Sequence, residues 1–267
     1  MIIDFHTHTF PEEVGKKALP MMAETSGIQP WTNATNEQLI ASMKKNGIDY
    51  SVLMPVATRP KQVEKLNNIA AELNGKDGLL SFGAMHVDFE NYKEEFKRIK
   101  ELGLKGIKLH HDYMGIFFSE LRSLRVISEA FEQGLMVLVH AGDDPYSKLV
   151  HHCTPEMIKA ALPDLRGGTL IAAHYGGLMN ADSVEEHLLG EDVYIDTSMT
   201  HYHSGIFQLK RILLGHDPDK ILFGTDSPWD DQGISLKVLD SMQLDTELKE
   251  KILYKNAMRL LGMESSK

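Results

Sequence analysis

The sequence has little of what marks secreted, membrane-bound or nucleic-acid-binding proteins. Its 267 residues include one cysteine, Cys153, which excludes an internal disulfide and suits a reducing compartment. No apolar run approaches the roughly 18 residues that span a bilayer, and no basic segment precedes an apolar stretch at the N-terminus. A net charge of −10 argues against a nucleic-acid partner. We therefore predict a cytoplasmic protein without membrane or nucleic-acid partners.

The composition is that of an ordinary folded domain. Hydrophobic residues make up 42% of the chain and charged residues 25%, so the chain can bury one large core. There is no low-complexity linker and no abrupt change of composition along the sequence. We predict a single domain over residues 1–267.

Short apolar runs alternate with helical patterns from end to end, which is typical of repeated βα units. Eight runs read as strands, and eight βα units within about 250 residues predict an α/β fold of the (β/α)₈ TIM-barrel type. An open, doubly wound sheet is the alternative. The predicted strands cover residues 1–8, 48–56, 79–87, 106–113, 135–142, 169–177, 193–199 and 221–229.

Two kinds of segment lie between these runs. Helix signals are clear at Thr35 or Asn36, either of which suits an N-cap before a helix that ends at Gly47, and at Thr154 followed by Pro155. Residues 9–36, in contrast, form a long insertion after the first strand. We interpret it either as a lid loop over the active site or as a surface excursion that buries Trp31.

The first strand ends in DFHTH, which places His6 and His8 two positions apart. Because alternate side chains share one face of a strand, these two imidazoles converge. Such a pair suits a metal ion, although the spacing also occurs by chance and an exposed pair can simply be solvated.

Polar residues collect at the ends of the predicted strands, where TIM-barrel enzymes place their active sites. Each taken alone has a plain structural explanation: a histidine at a strand end often bonds the backbone, and Asp226 in GTDSP suits a turn cap. Their joint placement at one rim favours a metal or catalytic site. The residues concerned are His6, His8, His86, His110, His111, His140, His174 and Asp226.

At these residues the sequence resembles the amidohydrolase superfamily, in particular the branch of aminocarboxymuconate-semialdehyde decarboxylase-like metal-dependent hydrolases. The matching stretches, in the family's order, are IDFHTH, GIKLHHDY, LVHAG, AAHYGG, LFGTDSPW and ILYKNAMRLLGM. The resemblance implies that one divalent ion is bound by His6, His8, His140 and Asp226. It also implies that His174 lies beside the ion as an acid/base group, so that Asp226 and His174 are the catalytic residues.

Elementary chemistry agrees with this ligand set. Neutral imidazoles and a carboxylate bind Zn²⁺ well, and three histidines with one aspartate leave room for a water molecule. Zn²⁺ is the first choice, with Mn²⁺ or another divalent ion as the alternative. Asp226 can also accept a proton, and His174 can protonate a leaving group. Asp4, two positions before His6, is expected on the same strand face as a support for that ligand.

Further residues are candidates for substrate binding. Alternation points Lys108 and His110 into the barrel. Some superfamily members carry a carbamylated lysine at strand four that bridges two metals, and Lys108 is its counterpart, although a plain ion pair is the simpler reading. The remaining candidates are Arg59, for a substrate carboxylate, His86 and Trp229. The histidines of HYH at 201–203 are predicted to lie in a loop, as are His151 and His152.

These observations favour a metal-dependent hydrolase that uses activated water on an amide, ester or lactone of a small molecule. The alternatives are a non-oxidative decarboxylase or hydratase of an unsaturated or aromatic carboxylic acid, and a metal-dependent binding protein without activity. A carboxylate is one option for the substrate, and a homo-oligomer is compatible with the sequence.

Overall fold

The computed structural model describes residues 1–147 and 150–263; residues 148, 149 and 264–267 of the predicted domain lie outside the described residues. Every predicted strand run contains a strand, and the third contains two, separated by Phe82. The strands are β1 (Ile3–Thr7), β2 (Tyr50–Leu53), β3 (Leu79–Ser81), β4 (Gly83–Ala84), β5 (Gly106–Leu109), β6 (Met136–Val139), β7 (Leu170–Ala172), β8 (Tyr194–Asp196) and β9 (Ile221–Leu222).

The strands run parallel and in sequential order, and all consecutive neighbours pair except β3 and β4. One ladder runs from β1 to β3 and the other from β4 to β9. The backbone N–H of Phe5 donates to Phe223 O at 2.7 Å, and that of His8 donates to Ser227 O at 2.6 Å, so β1 also contacts the segment after β9. Sequential parallel order with first and last strands in contact is the TIM-barrel arrangement, which confirms the predicted fold over the doubly wound sheet.

Helices follow the strands and cover the outside of the ring. Thr35 accepts a hydrogen bond from the Gln38 N–H, and Thr154 accepts one from Met157, so both predicted caps are confirmed. The helices are α1 (Glu12–Ser26), α2 (Asn36–Asn46), α3 (Val63–Leu73), α4 (Tyr92–Glu101), α5 (His111–Met114), α6 (Leu121–Glu132), α7 (Pro155–Ala161), α8 (Ala181–His187), α9 (Ile206–Gly215), α10 (Gln232–Ser241), α11 (Thr246–Glu250) and α12 (Asn256–Leu261).

The core has two layers, separated by the strands. Val137 and Val139 belong to the outer layer with helix residues such as Ile127, whereas Met136 and Leu138 belong to the inner cluster. The inner cluster fills the barrel from its N-terminal end and is joined there by α12. Its buried residues in the strands, or directly next to them, are Ile3, Phe5, Val52, Met54, Phe82, Met136, Leu138, Ile171, Ala173 and Leu222.

An irregularity in β1 decides which side chains reach the barrel mouth. The pairing of β1 with β2 shifts between Asp4 and Thr7, so β1 carries one extra residue there. Simple alternation predicted that Asp4 shares a strand face with His6. This prediction is wrong, because the extra residue places the two side chains on different faces. The Asp4 carboxylate accepts hydrogen bonds from Thr225 and from Gln232 of α10, outside the barrel. It still supports the site, because it also accepts the His6 backbone N–H at 3.3 Å.

The insertion at residues 9–36 contains the 15-residue helix α1 rather than a loop alone. Trp31 is 53% exposed, so the interpretation that this segment buries a tryptophan is wrong. The Trp31 backbone N–H donates to Pro228 O at 2.7 Å, which joins the insertion to the loop after β9. The role of a lid over the active site stays a prediction.

Candidate metal centre

Three of the four predicted metal ligands converge at the mouth of the barrel. His8 Nε2 lies 3.2 Å from His6 Nε2 and 3.0 Å from Asp226 Oδ1, and His6 Nε2 lies 3.4 Å from the same oxygen. Ligand atoms bound at about 2.0–2.1 Å in a tetrahedral site are separated by about 3.3 Å. The donor spacing therefore fits a divalent ion such as Zn²⁺, and a set of three leaves one position open.

The protonation state of His6 also suits a metal ligand. Burial lowers the pKa of His6 well below its ordinary value, and the nearby Lys108 lowers it further, so the ring is neutral. His6 Nδ1 lies 2.9 Å from Asp196 Oδ2. Since a carboxylate only accepts, Nδ1 carries the proton, and the lone pair of Nε2 is directed toward His8 and Asp226.

A hydrogen-bonded chain connects Asp196 with His174. The Ser198 hydroxyl donates to Asp196 Oδ1, and its oxygen lies 2.8 Å from His174 Nδ1. His174 Nε2 lies 3.0 Å from His140 Nδ1. Burial lowers the pKa values of both His174 and His140 well below their ordinary values, so both rings are neutral. The chain thus positions His174 beside the His6 ring, at a centroid distance of 5.2 Å, and its role as an acid/base group stays a prediction.

His140 lies in the adjoining cluster rather than in the group of His6, His8 and Asp226. Its Nε2 is 4.0 Å from Asp144 Oδ2, and the same oxygen is 3.1 Å from His110 Nε2. The rings of His110 and His140 stack at a centroid distance of 4.4 Å and are inclined by 12°. The role of His140 as the fourth ligand of the first ion stays a prediction.

Eight non-glycine residues of the described chain have a positive φ, and the two predicted catalytic residues are among them. His174 has φ of 61° and Asp226 has φ of 66°, both in the left-handed region. This conformation costs a non-glycine residue about 1 kcal/mol and is more frequent at active sites than elsewhere. Both residues follow strands, His174 after β7 and Asp226 after β9, and their catalytic roles stay predictions.

Lys108 occupies the floor of the site, as alternation predicted. Its side chain is almost fully buried, and Nζ lies 3.5 Å from His6 Nε2. Burial lowers the pKa of Lys108 to about 8, although the charges of Asp226 and Asp196 oppose this effect. A lysine in this state binds a substrate anion or loses its proton near neutral pH.

Replacement of Lys108 by methionine should change the pH dependence of stability in chelator-treated, metal-free protein. A folded-state pKa of about 8 against the ordinary 10.5 corresponds to about 3 kcal/mol. The burial of charged Lys108 destabilises the folded state by this full amount below pH 8, and the destabilisation disappears as the pH rises through 10.5. Urea unfolding should therefore show wild type gaining stability relative to Lys108→Met over this interval. Lys105→Met, at an exposed position on the same segment, is the control and should show no such gain.

The other predicted substrate-binding residues are found in different environments. His86 is buried, and its Nδ1 accepts the backbone N–H of Asp88 at 3.1 Å. Arg59 is exposed after β2, and Trp229 is partly buried in the loop after β9. The structure does not bring these three side chains into the buried histidine group, and their binding roles stay predictions.

Several residues of the site were missed in the sequence. Asp196 and Ser198 stand at the end of β8 in VYIDTSM, and Asp144 follows His140 by four positions. An acidic residue at a strand end was a signal that could have identified Asp196. His201 and Tyr202 lie in a short 3₁₀ turn outside the strands, as expected, and His201 faces Asp230 at 3.6 Å.

Comparisons with known proteins bear on the family and the fold of this chain. A family model described as Amidohydrolase matches residues 3–263. No curated protein matches significantly. No helix in residues 1–147 and 150–263 combines the length and apolar character of a membrane span.

Solved structures of similar fold cover nearly the whole chain. A protein described as a 2-pyrone-4,6-dicarboxylic acid hydrolase from Pseudomonas putida is 15% identical, with a TM-score of 0.66, and 99% of this chain and 98% of that chain are covered. A 2,6-dihydroxybenzoate decarboxylase from Rhizobium is 16% identical, with a TM-score of 0.71 and 99% coverage of both chains. A 5-carboxyvanillate decarboxylase from Novosphingobium aromaticivorans, complexed with manganese, is 16% identical, with a TM-score of 0.73 and coverages of 98% and 96%. At these identities the likeness establishes the fold.

Proposed function

Because the chain belongs to the amidohydrolase family, we propose that it is a metal-dependent hydrolase of a small-molecule amide, ester or lactone. The observation that carries this proposal is the convergence of His6, His8 and Asp226 at ligand spacing. We propose Zn²⁺ as the ion, with Mn²⁺ as the alternative. When bound, the ion supplies a Lewis acid that polarises a substrate carbonyl and makes water a stronger nucleophile at neutral pH.

The side chains around the centre have complementary roles in this proposal. Burial raises the pKa of Asp226, but its contacts with His6 and His8 and the charge of Lys108 outweigh this effect and lower the pKa, so Asp226 is ionised. It is therefore able to accept a proton from the attacking water. His174, linked to Asp196 through Ser198, holds a fixed orientation from which it stabilises the developing charge or guides a proton to the leaving group.

Non-oxidative decarboxylation is a second candidate, favoured by the buried cation on the floor of the site. The Nζ of Lys108, beside His6, is placed to pair with a substrate carboxylate. Two of the structures described above are decarboxylases of aromatic carboxylic acids, which makes this substrate class worth testing. A hydratase acting on an unsaturated acid would use the same groups.

A two-part substrate panel separates these functions. Metal-loaded protein is incubated with amides, esters and lactones, and acid release is measured; aromatic and unsaturated acids are tested in parallel for CO₂ and for hydration products. We expect acid release that stops when the metal is removed by a chelator and returns when it is restored. Release of CO₂ alone would establish the decarboxylase instead. A protein that retains its metal and turns over no member of either panel would contradict both activities and favour a binding role.

A further inference from the structure

The insertion after β1 makes few polar contacts with the rest of the chain. Helix α1 buries only three of its 15 residues. Among the described residues, one backbone hydrogen bond joins residues 9–34 to a residue beyond the insertion, and the Trp31 N–H makes it by donating to Pro228 O at 2.7 Å. The ion pairs of this segment lie within α1. Polar contact between the insertion and the barrel is therefore concentrated at Trp31.

The position of this contact relates the insertion to the proposed metal centre. The insertion starts directly after His8, and Pro228 stands two positions after Asp226. The His8 backbone N–H donates to Ser227 O at 2.6 Å, so the start of the insertion lies beside the residues to which Trp31 is attached. The segment thus leaves the barrel at one proposed ligand and is fastened beside another.

A second contact at the same place involves the Trp31 side chain. Burial and the hydrogen bond to Asp230 raise the pKa of the Tyr202 hydroxyl, and the side chain of Trp31 opposes them as a hydrogen-bond donor to the phenol oxygen. The Tyr202 hydroxyl in turn donates to Asp230 Oδ1 at 2.6 Å. Tyr202 lies in the turn after β8, so three side chains in sequence join the insertion to the loops after β8 and β9.

Asp230 is the fixed end of this connection. The residue is fully buried, its Oδ2 accepts the Ser235 hydroxyl of α10 at 2.5 Å, and its Oδ1 also accepts the Asp231 backbone N–H at 2.8 Å. Tyr202 and Trp31, in contrast, are 47% and 53% exposed. The connection runs from a rigid carboxylate to a surface aromatic ring, so its outer contacts can separate without disturbing the core.

We propose that Trp31, Tyr202 and Asp230 form a latch that holds the insertion closed over the metal centre and opens to admit substrate. The role in substrate entry rests on the proposed function, whereas the latch itself does not. Tyr202 and Asp230 are positioning residues, because they act on the insertion through Trp31. Closure of such a segment excludes water from an active site and retains the substrate.

The sequence of α1 makes opening of the latch measurable. The helix contains Gly15 and Pro20, both unfavourable inside a helix, and a helix of 15 residues is only marginally stable by itself. When the insertion detaches, α1 should therefore lose its hydrogen bonds. Hydrogen exchange of its amides then reports how often the latch opens.

Tyr202→Phe removes the hydroxyl and keeps the ring. In metal-free protein we expect the α1 amides to exchange about tenfold faster than in wild type, because a hydrogen bond to a carboxylate is lost, while exchange in α10 stays unchanged. Trp31→Phe should act similarly, and adding it to Tyr202→Phe should change little, because both act through one contact. Tyr254→Phe removes a hydroxyl from a ring packed on the inner cluster and serves as the control. Unchanged exchange in both Tyr202→Phe and Trp31→Phe would overturn the latch.

Kinetics on the substrate found in the panel test what the latch does. We expect KM of Tyr202→Phe to rise several-fold with kcat nearly unchanged, because an open insertion retains substrate less well and the metal ligands are untouched. A merely structural loss would reduce the active fraction and lower kcat at constant KM. That result, or faster exchange with both constants unchanged, would overturn the role in substrate entry. If no substrate of the panel is turned over, the proposed function fails, and exchange in the metal-free protein still decides whether the latch exists.

Discussion

Asp226→Asn is expected to cause the largest loss of function of any single change in this chain. Asp226 Oδ1 lies within 3.4 Å of both His6 Nε2 and His8 Nε2, and the amide would replace an anionic ligand by a weaker neutral one. The same change removes the proton acceptor. We expect turnover on the substrate found in the panel to fall by about 10³-fold or more, together with the ion held by the His6 group.

The measurement combines steady-state kinetics with zinc content for the same preparation. Asp240→Asn on the surface of α10, where the aspartate pairs with Lys249, is the control for the substitution itself and should leave both quantities unchanged. Full turnover in Asp226→Asn would show that Asp226 is neither an essential ligand nor the base.

Asp196→Asn is expected to have the second largest effect, although Asp196 does not belong to the His6, His8 and Asp226 group. Its carboxylate faces His6 Nδ1, accepts the His174 backbone N–H at 2.9 Å and receives the Ser198 hydroxyl. In Asp196→Asn an amide NH₂ group replaces one carboxylate oxygen, so a hydrogen-bond donor faces the donors that this oxygen accepted. Loss of such a supporting contact lowers metal affinity by about 10–100-fold, and disruption of the buried network costs about 3 kcal/mol of stability.

Calorimetric titration with Zn²⁺ and thermal unfolding of metal-free protein measure the two effects separately. Asp192→Asn serves as the control, because Asp192 is 87% exposed on the same segment and pairs only with Lys220 among the described residues. Unchanged affinity in Asp196→Asn would mean that the tautomer of His6 does not depend on this carboxylate.

The fold was predictable to an unusual degree because its signals are local. Each strand of a covered parallel sheet is a short apolar run. Four of the described α-helices begin at a capping side chain, and two of these caps, Thr35 and Thr154, identified helix starts without reference to the rest of the chain. The third strand was harder: a single apolar run contains β3 and β4 with Phe82 between them, and only the pairing geometry shows the interruption.

The sequence predicted only those site residues that stand at the ends of predicted strands. His6, His8 and Asp226 stand at such ends, and the barrel brings them together as expected. The interpretation of Asp4 was wrong because it assumed an unbroken period of two, and the extra residue in β1 changes the phase between Asp4 and Thr7. Asp144 was missed because it lies in a loop, whose course no periodicity describes.

The order of apolar and polar residues along the chain was enough to determine that eight βα units form and that imidazoles and carboxylates stand where the strands end. Tertiary structure alone decided which of these groups meet. Closure of the ring brings Asp196 to His6 across 190 positions of sequence, and stacking turns His140 toward Asp144. The physical reason is that side-chain direction at a strand end depends on register, bulges and packing against neighbouring strands, and these are properties of the assembled barrel.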